Sequence, residues 1–471
     1  MEEIRTDLCV IGAGSGGLSA AAGAVQMGAR VVLIEAAEMG GDCLNHGCVP
    51  SKALIAAAKA AHAMTAGAGF GIRPVSPEVD FAVVKDHVAR VIATIAPIDS
   101  QERFEGLGVR VIRAHARFVA PDAVEAGGLR VRARRFVIAT GSRPRIPQVP
   151  GLADGPYLTN ESIFPLRKRP DHLLILGAGP IGIELAQAHR RLGCRVTVVE
   201  AGAALQREDP ELAAVVLSAL AAEGVEIVAG VKVGSVDWTE GVTLRLEGGR
   251  TLRGSHLLVA TGRDVSFDGM DLGAANVAYD QRGVTVDARL RSTNRRVFAV
   301  GDAAGQGQFT HLAGYHAGIV IRQAVLGLPA RARTDHIPRV TYADPELAQI
   351  GLTEAEARKA HGDRVEVLRW SFHDNDRAQA EGRTEGLVKL VAVKGRVVGV
   401  GIAGASAGEL IGLWALVLSN RIKLSAVAGM VLPYPTLSEV SKRAAGAYFS
   451  PKLFANPALR QVVRLVQRVL P

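Results

Sequence analysis

Along the first 35 residues the apolar positions come in blocks separated by glycine: TDLCVIG, then GAGSGGLSAAAGAVQMGA, then RVVLIE. A short apolar run, a glycine turn, a small-residue stretch and a second apolar run predict strand, turn, helix and strand, ending on Glu35. The plan returns in DHLLILGAGPIGIELAQAHRRLGCRVTVVE, which ends on Glu200, and in both copies 23 residues separate the first glycine from the terminal acid. The chain therefore carries two copies of one βαβ unit.

Each copy holds a G-x-G-x-x-G run that follows a predicted strand, opens a helix and has an acid about 20 residues on, which is the context a dinucleotide site requires. Gly12 and Gly177 permit the tight turn, Gly14 and Gly179 let backbone approach a pyrophosphate, and Gly17 and Gly182 let helix and strand pack closely. The helix N-termini attract the phosphates. Glu35 and Glu200 can accept from ribose hydroxyls, and a carboxylate there repels a 2′-phosphate. With no Arg after Glu200 until Arg207, the second site is expected to prefer NAD(H).

Further strand and turn signals run through Phe136 to Pro144, Leu257 to Asp264 and Val297 to Gly305, and a helical stretch follows from His311 to Leu326. RARTDHIP, ending at Pro338, predicts a linker into a last domain with alternating strands in WSFHDND, LVKLVAV and VVGVGIAG. Gly399 to Ser419 carries one charge, Glu409, and is about long enough to span a bilayer. Its glycine-rich middle predicts instead a strand, a turn and a buried helix from Ala407.

Composition agrees with this organisation. A chain of 471 residues exceeds the roughly 250 to 300 at which single cores stop growing, so two to four domains are expected. With 53 glycines and 4% aromatics, it suits an α/β class with many tight turns. The net charge of +9 is spread along the chain and not gathered in one basic run, so nucleic-acid binding is not expected. Four cysteines cannot form a secreted disulfide framework, and the opening MEEIRTDLCV has no signal-peptide pattern. A cytoplasmic location is expected.

The chemistry concentrates in GGDCLNHGCVPSKALIAAAKAAHAM, where Cys43 and Cys48 stand before an alanine-rich helix. A zinc site would need two further ligands at suitable spacing, and Cys9 and Cys194 fall in different nucleotide units, where they are expected to be ordinary core thiols. A cysteine near a helix N-terminus beside Lys52 should have thiolate character. The pair is therefore expected to be redox-active, and no metal is expected.

GGDCLNHGCVPSK, the two fingerprints, both ATG turns, the GD motif and PTLSE together resemble the class I pyridine nucleotide-disulfide oxidoreductases, which include dihydrolipoamide dehydrogenase, glutathione reductase and mercuric reductase. The resemblance implies two Rossmann-like domains and a C-terminal α+β dimerisation domain. The expected boundaries are 1–150 for FAD binding, 151–266 for NAD(H) binding, 267–337 completing the FAD domain, 338–450 for dimerisation and 451–471 for a basic amphipathic helix. FAD would contact the first fingerprint, Gly41, Thr140, Gly141, Gly301 and Asp302, with Glu35 on its ribose. NAD(H) would use Gly177 to Glu200 together with Gly262. Cys48 would face the flavin, Cys43 would meet the acceptor, and Lys52 and Glu184 would pair near the flavin. A cation there stabilises a reduced, anionic flavin, and a carboxylate holds the cation in place.

The family's disulfide reductases carry a His before Pro-Thr, supplied across a homodimer and oriented by a Glu. This chain reads LPYPTLSE, with Tyr434 at that place and Glu439 retained. A phenol donates a proton but is a poor base toward a thiol at neutral pH. Tyr434 and the NDRA run at Asn375 to Ala378 resemble mercuric reductase, yet no cysteine follows Cys194. His46 is a candidate substitute base, and His373 a weaker one.

Beyond this pattern, Leu459, Val462, Val463, Val466, Val469 and Leu470 follow helical spacing opposite Arg460, Arg464 and Arg468. That tail is expected to pack on its own domain, with a membrane surface or partner as the alternative. The leading functional expectation is an NADH-linked, FAD-dependent homodimeric reductase of a small-molecule or protein disulfide. Reduction of metal ions or quinones is the second expectation. A redox-responsive binding or peripheral membrane protein is the third.

Overall fold

The strand Glu2–Ile11 lies between Val31–Glu35 and Leu129–Ile138, parallel to both, and Arg110–Arg113 extends the sheet beyond Val31–Glu35. Its inner residues Leu8, Cys9, Val10 and Ile11 are all buried, as expected of a parallel sheet covered on both faces. The computed structural model describes residues 1–470. Ser15–Gln26 covers one face and packs on Thr310–Ala324, closely enough that a Cβ on Gly23 would meet the Ile321 side chain at 2.3 Å. Val297–Ala299 joins the same sheet parallel to Leu129–Ile138, so a late segment returns to the first nucleotide unit.

The second unit is a parallel sheet in the order Glu226–Ala229, Arg195–Glu200, His172–Leu176, His256–Val259, with Pro180–Arg191 as its first helix. The two ATG turns meet between the units, where Ser142–Pro144 pairs antiparallel with Arg263–Val265.

The C-terminal sheet has five antiparallel strands ordered Arg339–Thr341, Glu346–Gly351, Arg396–Gly404, Leu387–Val393, Val365–Ser371. Ala407–Asn420 and Glu439–Ala447 contribute to its core, and buried Trp414 on the former donates through Nε1 to Ser441 Oγ on the latter at 3.1 Å. The apolar run from Gly399 does break into strand and helix as expected. No helix among the described residues is long and apolar enough to cross a membrane.

Two expectations need correction. The strand placed in WSFHDND ends at Ser371, because the Ser371 hydroxyl accepts from His373 N–H and turns the chain into the 3₁₀ segment Phe372–Asp374. The tail, expected to pack on its own domain, touches it only at its start, where Lys452 Nζ reaches Glu366 at 3.1 Å and lies 3.3 Å from the Tyr448 ring centroid; from Ser450 to Leu470 every residue is exposed. Its expected span, 451–471, ends one residue outside the described ones.

Candidate active site

Cys43 sits on the short helix Gly41–Asn45, and Cys48 opens the helix Cys48–Ala63 after Gly47. Gly41 lies against the first phosphate turn, where a Cβ would come within 2.7 Å of Gly14 Cα. With glycine at both positions, the cysteine loop and the first dinucleotide loop make backbone-close contact.

The two thiols are unequal. Cys43 donates to Cys48, which, with the Thr310 hydroxyl 3.3 Å from Cys48 Sγ and the Lys52 charge, lowers Cys48 to about 6. The same hydrogen bond and burial push Cys43 far up. Cys9 and Cys194 are fully buried, and burial raises both, as for core thiols. Thr310, first residue of its helix, was not singled out from the sequence.

One turn along from Cys48, Lys52 Nζ donates to Glu184 Oε2 at 2.8 Å. Glu184 belongs to the first helix of the second unit and is 6% exposed, which rules out a helix-surface charge. Its other oxygen accepts from Tyr342 N–H at 2.9 Å, and Lys52 Nζ lies 4.3 Å from the Tyr342 ring centroid. Tyr342, a C-terminal-sheet residue beside the strand Arg339–Thr341, closes this ion pair. No sequence signal marked it.

The phosphate turns are near copies. In the first, Glu35 accepts from the Ala13 and Ala37 N–H groups. In the second, Glu200 accepts from Ala178 and Gly202 at 2.9 and 3.0 Å. Both acids thus brace their own turns, beyond the ribose contact expected of them. A Cβ on Gly17 or Gly182 would strike the carbonyl oxygen of Gly12 or Gly177 at 1.8 or 2.0 Å, whereas nothing lies within 4 Å of one on Gly179. Open backbone at the second glycine fits a pyrophosphate.

Thr140 Oγ1 is buried without a partner, and Gly141 and Gly262 in the two ATG turns have positive φ. Gly301 begins a 3₁₀ turn in which Asp302, raised by burial, accepts from Ser142 Oγ at 2.5 Å. An orphaned hydroxyl and a half-buried carboxylate beside the first turn are groups a flavin's polar tail would satisfy. The residues present therefore fit FAD.

A polar network missed by sequence reading ties these parts together. Arg263 donates to Ser142 O at 2.7 Å and pairs with Asp42 at 3.1 Å, while Asn160 donates to Asp42 Oδ1 and to the His46 carbonyl at 2.9 and 3.0 Å. Asp42 precedes Cys43, so the network anchors the thiol loop to both ATG turns.

Tyr434 is 70% exposed, and its hydroxyl donates to Asp376 of its own chain, not to Glu439, which opens the helix Glu439–Ala447. His373 is exposed beside Asp374, with Nδ1 at 3.7 Å from the carboxylate.

Two dinucleotide turns beside a dithiol with split acidity and a Lys52–Glu184 pair whose carboxylate is buried define a redox protein that relays electrons between a nicotinamide and sulfur. The family described as pyridine nucleotide-disulphide oxidoreductase matches residues 6–317, and its dimerisation domain matches 337–445. The chain belongs to this family, the class I pyridine nucleotide-disulfide oxidoreductases, whose members use FAD and NAD(P)H. It is 35% identical to a mercuric reductase of Acidithiobacillus ferrooxidans over 94% of this chain and 82% of the relative. It is 36% identical to a dihydrolipoyl dehydrogenase of Thermus scotoductus over 94% of this chain and 97% of the relative. Among solved structures, LpdA from Mycobacterium tuberculosis superposes with a TM-score of 0.86 at 26% identity, covering 94% of this chain and 99% of that one. The HOCl-induced flavoprotein disulfide reductase RclA from Escherichia coli gives 0.83 at 26% identity, covering 93% and 99%.

Proposed function

We propose that this enzyme takes an electron pair from NADH and delivers it through Cys43 and Cys48 to a disulfide acceptor. The observation that carries the reading is geometric: Cys43 and Cys48 flank the turn at Gly47, with Cys48 opening its helix 3.3 Å from the Thr310 hydroxyl and one turn before the Lys52–Glu184 ion pair, an arrangement that lowers Cys48 and raises Cys43. FAD, held by the first phosphate turn with Thr140, Gly141 and Asp302, would supply the two-electron chemistry that links a nicotinamide to the cysteine pair. Lys52 would place positive charge beside it, held in position by Glu184 and Tyr342. Glu200, with its bracing hydrogen bonds, favours NADH by repelling a 2′-phosphate.

In the oxidative half, Cys43 gives up its proton and its sulfur attacks one sulfur of the acceptor disulfide, releasing the other as a thiol. Cys48 then attacks Cys43 and releases the second thiol. Two electrons and the single proton of the thiol–thiolate pair leave the cysteines, the two acceptor sulfurs depart as thiols with that proton and one from water, and the Cys43–Cys48 disulfide closes. On the same chain, the Cys48 thiolate already accepts from the Cys43 thiol and can take its proton. The dimerisation domain supports a homodimer in which Tyr434 and Glu439 meet the partner's thiols. A cytoplasmic, reducing setting suits a catalytic dithiol.

A second acceptor class, a soft metal ion, is favoured by the Tyr434–Asp376 pair, which presents a proton donor and no base. The test is steady-state turnover of the FAD-loaded dimer with NADH or NADPH against lipoamide, glutathione disulfide, coenzyme A disulfide, Hg(II), Cu(II) and quinones. NADH-driven reduction of a disulfide that Cys43→Ser abolishes supports the proposal. Turnover only with quinones, retained in the double Cys43→Ser, Cys48→Ser variant, would overturn it.

A further inference from the structure

The helix Pro457–Val469 stands off the last domain with every residue exposed, yet its start is built locally. Asn456 Oδ1 accepts from the Ala458 and Leu459 N–H groups at 3.0 and 3.3 Å, and Pro457 occupies the first turn. At about 100° per residue, Arg460, Arg464 and Arg468 centre one arc with Gln461 and Gln467 beside them. The opposite arc holds only apolar side chains, among them Val462, Val463 and Val469 at 55%, 51% and 71% exposure. A helix of 13 residues is marginal in water, so this arc needs a cover.

Charge indicates which cover. Glu439 is the last acidic residue of the chain, and Lys442, Arg443, Lys452, Arg460, Arg464 and Arg468 follow it. A second copy of the helix would bury roughly 400 Å² from two faces about 20 Å long, well below the ~1,200 Å² of a specific interface, and would bring like charges together. Thirteen residues are also too few for the roughly 20 that span a bilayer.

We propose that Pro457–Val469 is an in-plane anchor that docks the enzyme on an anionic phospholipid surface. The apolar arc sinks to the acyl boundary and the three arginines meet lipid phosphates. This role is separate from the reductase reading and stands without it. A dimer presents two such helices on one particle, which multiplies a weak single contact.

The experiment is co-sedimentation of the FAD-loaded full chain with phosphatidylcholine vesicles and with an equal mixture of phosphatidylcholine and phosphatidylglycerol, at low and high salt. Sedimentation is expected with the anionic vesicles, about 10-fold weaker with neutral ones and weaker at high salt. Both the triple Arg460→Glu, Arg464→Glu, Arg468→Glu variant and, separately, Val466→Asp should lose about 10-fold in partitioning while NADH turnover in solution is unchanged. Wild type left in the supernatant, or variants that sediment like it, would overturn the proposal. So would a loss confined to the arginine variant, since the apolar arc would then not be inserted. A fall in oligomeric mass of Val466→Asp without lipid would assign the arc to a second copy instead.

Discussion

The Tyr434 hydroxyl donates to the Asp376 carboxylate at 2.6 Å across 58 residues of sequence. Asn375, the neighbour of Asp376, donates to the Thr436 carbonyl at 3.1 Å, so the NDRA run and the YPTLSE loop form one locked unit. The hydrogen bond to Asp376, and then its charge, raise Tyr434 above an ordinary phenol, which keeps it protonated and fit to donate.

Tyr434→Phe is expected to lower acceptor turnover by about 10- to 100-fold while NADH still bleaches the flavin, the loss of one positioned proton donor. Tyr434→His should gain lipoamide activity, because an imidazole supplies the missing base. Lipoamide kinetics on both variants checks this, and no gain in the His variant would count against it.

Cys43→Ser and Cys48→Ser should each abolish disulfide reduction, whereas flavin reduction by NADH persists in both. Anaerobic stopped-flow absorbance with NADH alone, followed by acceptor assay, separates the two half-reactions.

In the reduced enzyme the Cys48 thiolate forms as pH rises through about 6. Alkylation by iodoacetamide should follow that midpoint, well below the ~8.5 of a free cysteine. Cys43→Ala removes the largest thiolate-stabilising contact, so its midpoint should move upward. A wild-type midpoint near that of a free thiol would sink the acidity argument.

Glu184→Gln replaces a charge-assisted acceptor for Lys52 by a neutral one and should cost about 10- to 100-fold in turnover, or ~1.5–3 kcal/mol. Bound FAD, followed by its absorbance, should be retained. Tyr342→Ala, which removes the ring beneath Lys52, is expected to act in the same direction more weakly.

Lys389 Nζ lies 2.8 Å from Asp209, 2.9 Å from Glu211 and 2.8 Å from Glu354, joining the second nucleotide unit to the C-terminal sheet. Lys389→Met strands the buried Asp209 carboxylate and should cost ~3–5 kcal/mol, read by denaturant melts. Hydrogen bonding to Lys389 holds Glu354 at about 2, against 4.5 for the free side chain. This depressed carboxyl stabilises the fold above pH 4.5, and its contribution is lost as pH falls toward 2.

The local parts of this protein were legible in its sequence because local chemistry dictates them. Gly12 and Gly177 must turn with positive φ, Gly17 and Gly182 have no room for a Cβ, and apolar runs such as Cys9 to Ile11 can only be buried strands. The Cys43–Cys48 loop was equally readable, since its spacing and its helix are written within a few residues. What remained illegible were contacts between segments far apart in the chain. Thr310 at Cys48, Tyr342 against Lys52 and Glu184, and Arg263 on Asp42 are ordinary side chains in ordinary local patterns. Only the return of Val297–Ala299 to the first sheet, the pairing of the two ATG turns and the packing of the C-terminal sheet bring them to the dithiol loop and the Lys52 ion pair. The tail helix shows the same division: its periodicity fixed its two faces, and tertiary packing left the apolar one uncovered because no element of the same chain reaches it.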